Sequence, residues 1–131
     1  MEKLIELALK VREKAYCPYS EFKVGAAALF EDGKIYTGCN IENVSYGATV
    51  CGERTAIFNG VSNGNRKLKA IAIAGSRDNF TFPCGICRQV MIEFAESDKI
   101  IIYIIKDKDN ITTKTLGQLM PDSFSKKDLN T

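Results

Sequence analysis

The chain has 131 residues, 45% of them hydrophobic and 26% charged, with Lys+Arg 18 against Asp+Glu 16 and a net charge of +2. That length fits one domain over residues 1–131, large enough to bury a core without disulfide staples, and the balanced charge asks for no nucleic-acid partner. There is no histidine, which excludes Ser-His-Asp and Cys-His hydrolases and histidine metal triads; a general base must be a carboxylate, Lys, Tyr or thiolate, and a zinc site must be built on Cys and carboxylates.

Leu4, Ile5, Ala8, Leu9, Val11, Arg12 and Ala15 recur at helical spacing, so residues 2–15 read as an amphipathic helix. Cys17-Pro18 ends it, because a proline disfavours helical geometry in the residue before it. These first residues lack the unbroken apolar stretch of a signal peptide. Residues 23–30 read as a strand, and Asp32-Gly33 turns the chain into a second strand through Ile35 and Tyr36. Residues 38–50, mixed in Gly, Asn, Ser and Thr, read as a long loop. Cys51 to Val61 reads as a helix stopped near Gly60 and Gly64. Residues 69–75 form a strand and 76–82 a loop. Pro83 precedes a helix from about Cys84 to Ala95, with Val90, Met91, Phe94 and Ala95 as its buried stripe. The apolar run 100–105 fits a strand covered on both faces. A short strand at 111–114 and a short helix around Leu116–Met120 close the pattern. Strands separated by helices imply an α/β fold, a three-layer α/β/α sandwich around a mixed sheet of about five strands. No run approaches the ~18 residues of a membrane span, so the expectation is a cytoplasmic protein with reduced thiols and no membrane partner.

The five cysteines are Cys17, Cys39, Cys51, Cys84 and Cys87. Closely spaced thiols in a reducing compartment point to metal or catalysis more often than to disulfides. Cys84 and Cys87, three apart at a helix start, lie on one face of its first turn. Cys51 opens another helix. Three thiolates can then converge on one Zn²⁺ and leave a fourth tetrahedral position open, as a catalytic site requires. The half-positive helix starts lower thiol pKa values. Three thiolates on Zn²⁺ leave a formal −1, which Arg54 can offset, with Arg88 expected to help. Glu53, two residues past Cys51, can face the open position as a proton shuttle without ligating. Three other readings compete with this one. A closed four-thiol site would recruit Cys39 or Cys17. A thioredoxin-like CxxC leaves Cys51-x-Glu53 unexplained. A non-catalytic zinc module has no use for Glu53.

Cys-x-Glu followed by Pro-Cys-x-x-Cys is the signature of zinc nucleobase deaminases. The stretches YSEFKVGAA (19–27), GCNIENVSYG (38–47), CGERTA (51–56), PCGICRQV (83–90) and LMPDSFSKKDL (119–129) resemble, in order and near-matching spacing, the small homotetrameric cytidine deaminases of the three-cysteine type. The resemblance implies Zn²⁺ on Cys51, Cys84 and Cys87, with Glu53 moving protons in hydrolytic deamination of cytidine and deoxycytidine. It implies that Asn40 and Glu42 bind the ribose, that Phe22 packs near the pyrimidine, and that Gly52, where the family usually carries alanine, offers its backbone to the base. It implies that Phe124 reaches a neighbouring subunit's site in a homotetramer with shared active sites, and that Tyr46 lies near subunit contacts. For Phe22 and Phe124 the plainer expectation is core packing; for Asn40 and Glu42 it is a solvated loop, and for Tyr46 a surface tyrosine. Cys17 and Cys39 are expected to be small buried hydrophobes. A deaminase for another aminopyrimidine, such as blasticidin S, is the nearest rival, and a polynucleotide-editing enzyme is disfavoured by the lack of an aromatic-plus-basic strand path.

Overall fold

A computed structural model describes residues 1–129. Alternation along the strands divides the core between two faces of one sheet. In β1 (Gly25–Phe30), Ala26, Ala28 and Phe30 point to one side and Ala27 to the other. β3 (Leu68–Ala74) sends Ile71 and Ile73 to the first side, Ala72 and Ala74 to the second. β4 (Ile101–Asp107) repeats this with Ile102 and Ile104 against Ile105. In β3 the isoleucines face one side and the alanines the other, which leaves room for different partners. The alanine side receives α1 (Glu2–Arg12) through Leu4, Ile5 and Ala8. The isoleucine side receives α2 (Gly52–Ser62) through Ala56 and Ile57, and α3 (Gly85–Phe94) through Cys87 and Met91. Each fully buried isoleucine contributes roughly 1.5–3 kcal/mol over exposure.

β2 (Ile35–Cys39) and β5 (Asn110–Thr115) complete a sheet of order β2-β1-β3-β4-β5. β3 and β4 run parallel, with Ile71 opposite Ile102 and Ile73 opposite Ile104, joined by a crossover that carries α3. The other three pairings are antiparallel. The expected three-layer sandwich with a mixed five-stranded sheet is what the chain adopts.

The boundaries differ in informative places. α1 ends at Arg12 rather than 15, because the Lys14 and Ala15 amides turn to the Val11 and Arg12 carbonyls, three residues back. β2 continues to Cys39, where a loop was expected. A Cβ at Gly38 would sit 2.3 Å from the Ala56 backbone nitrogen, so this strand glycine exists to let α2 lie close on the sheet. Inside the 38–50 stretch, Ile41 bridges Val50 and a 3-10 turn covers Tyr46–Ala48. α4 (Leu116–Leu119) starts on a capping box between Thr115 and Gln118, and a further short helix, α5 (Lys126–Leu129), was not expected.

Candidate active site

The two long helices on the isoleucine face begin side by side, and each begins at a cysteine. Cys51 is the N-cap of α2 and Cys84 the N-cap of α3. Cys87 follows in the first turn of α3, buried against the core. The Cys51 and Cys84 sulfurs are 3.8 Å apart and those of Cys84 and Cys87 3.5 Å. All three lie within 4.8 Å of one another. A tetrahedral ion with arms of about 2.3 Å holds its sulfurs about 3.8 Å apart, so the thiols present fit zinc as they stand. Among the described residues no other group of His, Cys, Asp or Glu gathers in this way, and Cys17 and Cys39 stay outside it. The closed four-thiol arrangement therefore does not form. Cys39 is only half-buried, with its thiol pKa pushed up by that burial.

Electrostatics favour charge on Cys51 and oppose it on Cys87 and Glu53. Hydrogen bonding from Cys87 and the Arg54 guanidinium pulls the Cys51 thiol down to about 5, against the opposing effect of burial. Cys87 moves the opposite way, through its hydrogen bond with Cys51 and its own burial. Arg54 Nη2 donates to Cys51 Sγ at 3.5 Å, and its buried Nε has no hydrogen-bond partner. A half-buried cation with an unspent donor fits an anionic thiolate cluster beside it. Glu53, only 5% exposed, is pushed up to about 7 by that burial, with the Cys51 charge adding to it.

Cys51, Cys84 and Glu53 open onto a cleft of about 420 Å³ whose walls also include Phe22, Val24, Asn40, Glu42 and Gly52. Asn40 is not a solvated loop residue. It is 8% exposed, its Oδ1 accepts from Val24 N–H at 2.8 Å, and its Nδ2 donates to the Phe22 carbonyl at 2.7 Å. Glu42 is equally fixed: its carboxylate accepts from the Tyr19 and Ser20 amides and the Ser20 hydroxyl, which together hold it below the usual carboxylate range. Phe22 is exposed at the cleft rather than packed in the core. A Cβ at Gly52 would come within 3.0 Å of the Val24 carbonyl oxygen.

Phe124, Tyr46 and Arg88 sit elsewhere than the cleft walls. Phe124 is 59% exposed and outside the cleft walls, with its carbonyl held by Gln89 Nε2 at 2.8 Å. It does not pack into its own core. Tyr46, 77% exposed, meets the Tyr19 ring edge-on. Arg88, expected to offset thiolate charge, gives its guanidinium instead to two carbonyls, Pro83 and Leu119, each at 2.7 Å. Sequence reasoning missed Val24, Thr81 and Phe82 as cleft walls; the only signal was their nearness in sequence to Phe22 and Pro83.

A helix-flanked mixed sheet with three thiols and a buried carboxylate at two adjoining helix starts defines an α/β domain of the zinc-dependent deaminase class. Residues 1–104 match the family described as "Cytidine and deoxycytidylate deaminase zinc-binding region". A cytidine deaminase of Sporosarcina psychrophila is 49% identical over 130 residues, covering 99% of this chain and 95% of that protein. One from Halalkalibacterium halodurans is 45% identical over 127 residues, covering 97% and 96%. The crystal structure of cytidine deaminase from Burkholderia pseudomallei superposes with a TM-score of 0.87 at 45% identity, covering 93% of this chain and 97% of that one. The chain belongs to the zinc-binding cytidine and deoxycytidylate deaminase family.

Proposed function

We propose that the whole chain is one catalytic domain that deaminates cytidine and deoxycytidine to uridine and deoxyuridine, releasing ammonia. The observation that carries this is the buried Glu53 carboxyl beside three converging thiols, in a cleft that also holds the fixed polar groups of Asn40 and Glu42. Cys51, Cys84 and Cys87 would hold Zn²⁺, which when bound supplies a Lewis acid that makes water a nucleophile near neutral pH.

The remaining chemistry falls to the chain. Replacing the C4 amine by oxygen moves both protons of one water: the first is placed on N3 and the second is delivered to the departing amine, which leaves as ammonia. Glu53 is the carboxyl in the cleft walls nearest the thiols in sequence, and its burial lets it hold or release a proton near neutral pH. Arg54 balances the thiolate charge. Asn40 keeps one Nδ2 hydrogen free after its two backbone bonds, and Glu42 keeps acceptor capacity, so the pair offers donor and acceptor to sugar hydroxyls. Phe22 gives an apolar face to the pyrimidine, and Gly52 presents backbone without a side chain.

A homotetramer with shared sites fits the surface. Phe124, Tyr46 and Ile86 are large, apolar and exposed, as residues awaiting a neighbour are. Among the described residues no helix is long and apolar enough to cross a membrane, and free thiols suit the cytoplasm. An ultraviolet assay with cytidine, deoxycytidine, cytosine and blasticidin S tests the reading. Turnover of the two nucleosides with little of the free base is expected. Turnover of blasticidin S alone overturns it.

A further inference from the structure

Cys84 is the most exposed of the three thiols, and its side chain makes no capping bond to α3. Its position must therefore come from its backbone. Immediately before it stands Pro83, fully buried, whose carbonyl accepts from Arg88 Nε at 2.7 Å. The Arg88 amide donates to the Cys84 carbonyl at 2.9 Å. One residue thus holds the carbonyls on both sides of the Cys84 nitrogen and Cα. The same guanidinium donates through Nη1 to the carbonyl of Leu119, which ends α4. The last carbonyls of a helix have no later amide to satisfy them, so this bond anchors the C-terminal arm. Gln89, next in sequence, takes the Phe124 carbonyl of that arm. A planar guanidinium directs fixed donors to two acceptors at once, whereas a lysine ammonium is a point donor without that fork.

We propose that Arg88 is a positioning residue that clamps the Cys84 turn to the C-terminal arm, so that the arm helps fix a metal-ligating thiol. This rests on the reading of Cys84 as a zinc ligand. Arg88 acts through its fork and not through its charge, and the two roles separate by substitution. Arg88→Lys keeps the charge and loses the fork; Arg88→Gln loses both. Leu4→Ala, in the core on the opposite face of the sheet, serves as a reference for general destabilisation.

The readout is the rate at which zinc-loaded protein yields its metal to 4-(2-pyridylazo)resorcinol, alongside melting temperature. Arg88→Lys and Arg88→Gln are expected to release zinc at least ~10-fold faster than wild type, the low end for losing a group that orients a ligand, while Leu4→Ala melts lower and releases at the wild-type rate. A wild-type rate in Arg88→Lys with fast release in Arg88→Gln assigns the effect to charge and overturns the proposal. Wild-type rates in both overturn it, as does equally fast release from Leu4→Ala. If Arg88→Gln does not fold, Arg88→Lys alone decides in the same sense. Wild-type protein that holds about one zinc and deaminates cytidine keeps the functional reading whatever Arg88 does; wild type that binds no zinc ends both.

Discussion

Val24 and Asn40 hold each other at both ends of one residue. The Val24 amide donates to Asn40 Oδ1 at 2.8 Å, and the Asn40 amide donates to the Val24 carbonyl at 3.1 Å. Val24 leads into β1 and Asn40 follows β2, so the clamp closes the open end of that antiparallel pair above the cleft. Asn40→Ala leaves the Val24 amide and the Phe22 carbonyl without their side-chain partner, at about 1–3 kcal/mol for each group left unsatisfied. The expected outcome is a lower melting temperature, an unchanged zinc content and a raised KM for cytidine. Unchanged KM and melting would show that water replaces both bonds at no cost.

Gly52 touches the same clamp from the other side. An alanine Cβ there would lie 3.0 Å from the Val24 oxygen and 3.2 Å from its Cγ1, so Val24 must yield by a few tenths of an ångström while Asn40 holds it. Alanine is the better helix residue by up to ~1 kcal/mol, less in a first turn. The two effects oppose and are of similar size. Gly52→Ala is expected to leave stability within about 1 kcal/mol of wild type and to raise KM for cytidine by no more than about fivefold, the equivalent of ~1 kcal/mol. Chemical denaturation and steady-state kinetics measure both, and a tenfold fall in kcat would place the strain on the reacting groups instead.

Glu53→Gln keeps the shape and removes the proton carrier. Turnover is expected to fall at least ~10²-fold with zinc retained, since general acid–base groups contribute 10²–10⁴. Loss of zinc would make Glu53 a ligand. The substitution also has a stability signature in protein stripped of metal. Burial raises Glu53 from 4.5 to about 7, so between those values the folded chain binds more protons than the unfolded one, and Glu53's contribution declines as pH rises. Glu53→Gln should therefore gain on wild type from pH 4.5 to 7 and level off above, by on the order of 3 kcal/mol. A constant difference across that range would refute the burial effect.

Glu42 works in the opposite sense. The Ser20 hydroxyl, with the Ser20 and Tyr19 amides, holds its pKa below 4.5. The stability it supplies is complete above the unfolded value of 4.5 and is lost as pH falls through the lower folded value. Glu42→Gln should unfold with a flatter acid limb than wild type. An acid titration followed by circular dichroism checks this, and identical limbs would mean the carboxylate is solvated.

Much of this was legible in the sequence where local pattern and fold agree. The period of α1, the Asp32-Gly33 turn and the cysteines opening α2 and α3 are local signals, and each is found where the pattern puts it. What escaped depends on contacts distant in sequence. β2 runs on through Gly38 because α2 needs that space, and nothing beside Gly38 says so. Asn40 looks like a loop residue until its partners, 16 and 18 positions away, are known. The Leu119 carbonyl that takes Arg88 is 31 residues off. Charge suggested one task for Arg88, and geometry gives it another.

Assembly is the remaining test, and Phe124 carries it. Its ring is 59% exposed at the end of an arm whose backbone is fixed by Gln89 and Arg88. An exposed ring on a well-held arm has little to contribute to its own subunit's core, so the ~3–5 kcal/mol that a buried phenylalanine would cost on truncation should not appear in the subunit. If a neighbouring copy's cleft receives the ring, closure excludes water and strengthens the electrostatics around the thiols and Glu53. Closed symmetry would then place the same patch at every subunit contact. Wild type should sediment as a homotetramer of 14.5 kDa subunits. Phe124→Ala should keep its zinc, raise KM for cytidine and weaken association, and dilution to single subunits should abolish turnover. Sedimentation and kinetics on the same samples decide it: a fully active monomer would end the shared-site reading, since each cleft would then be complete alone.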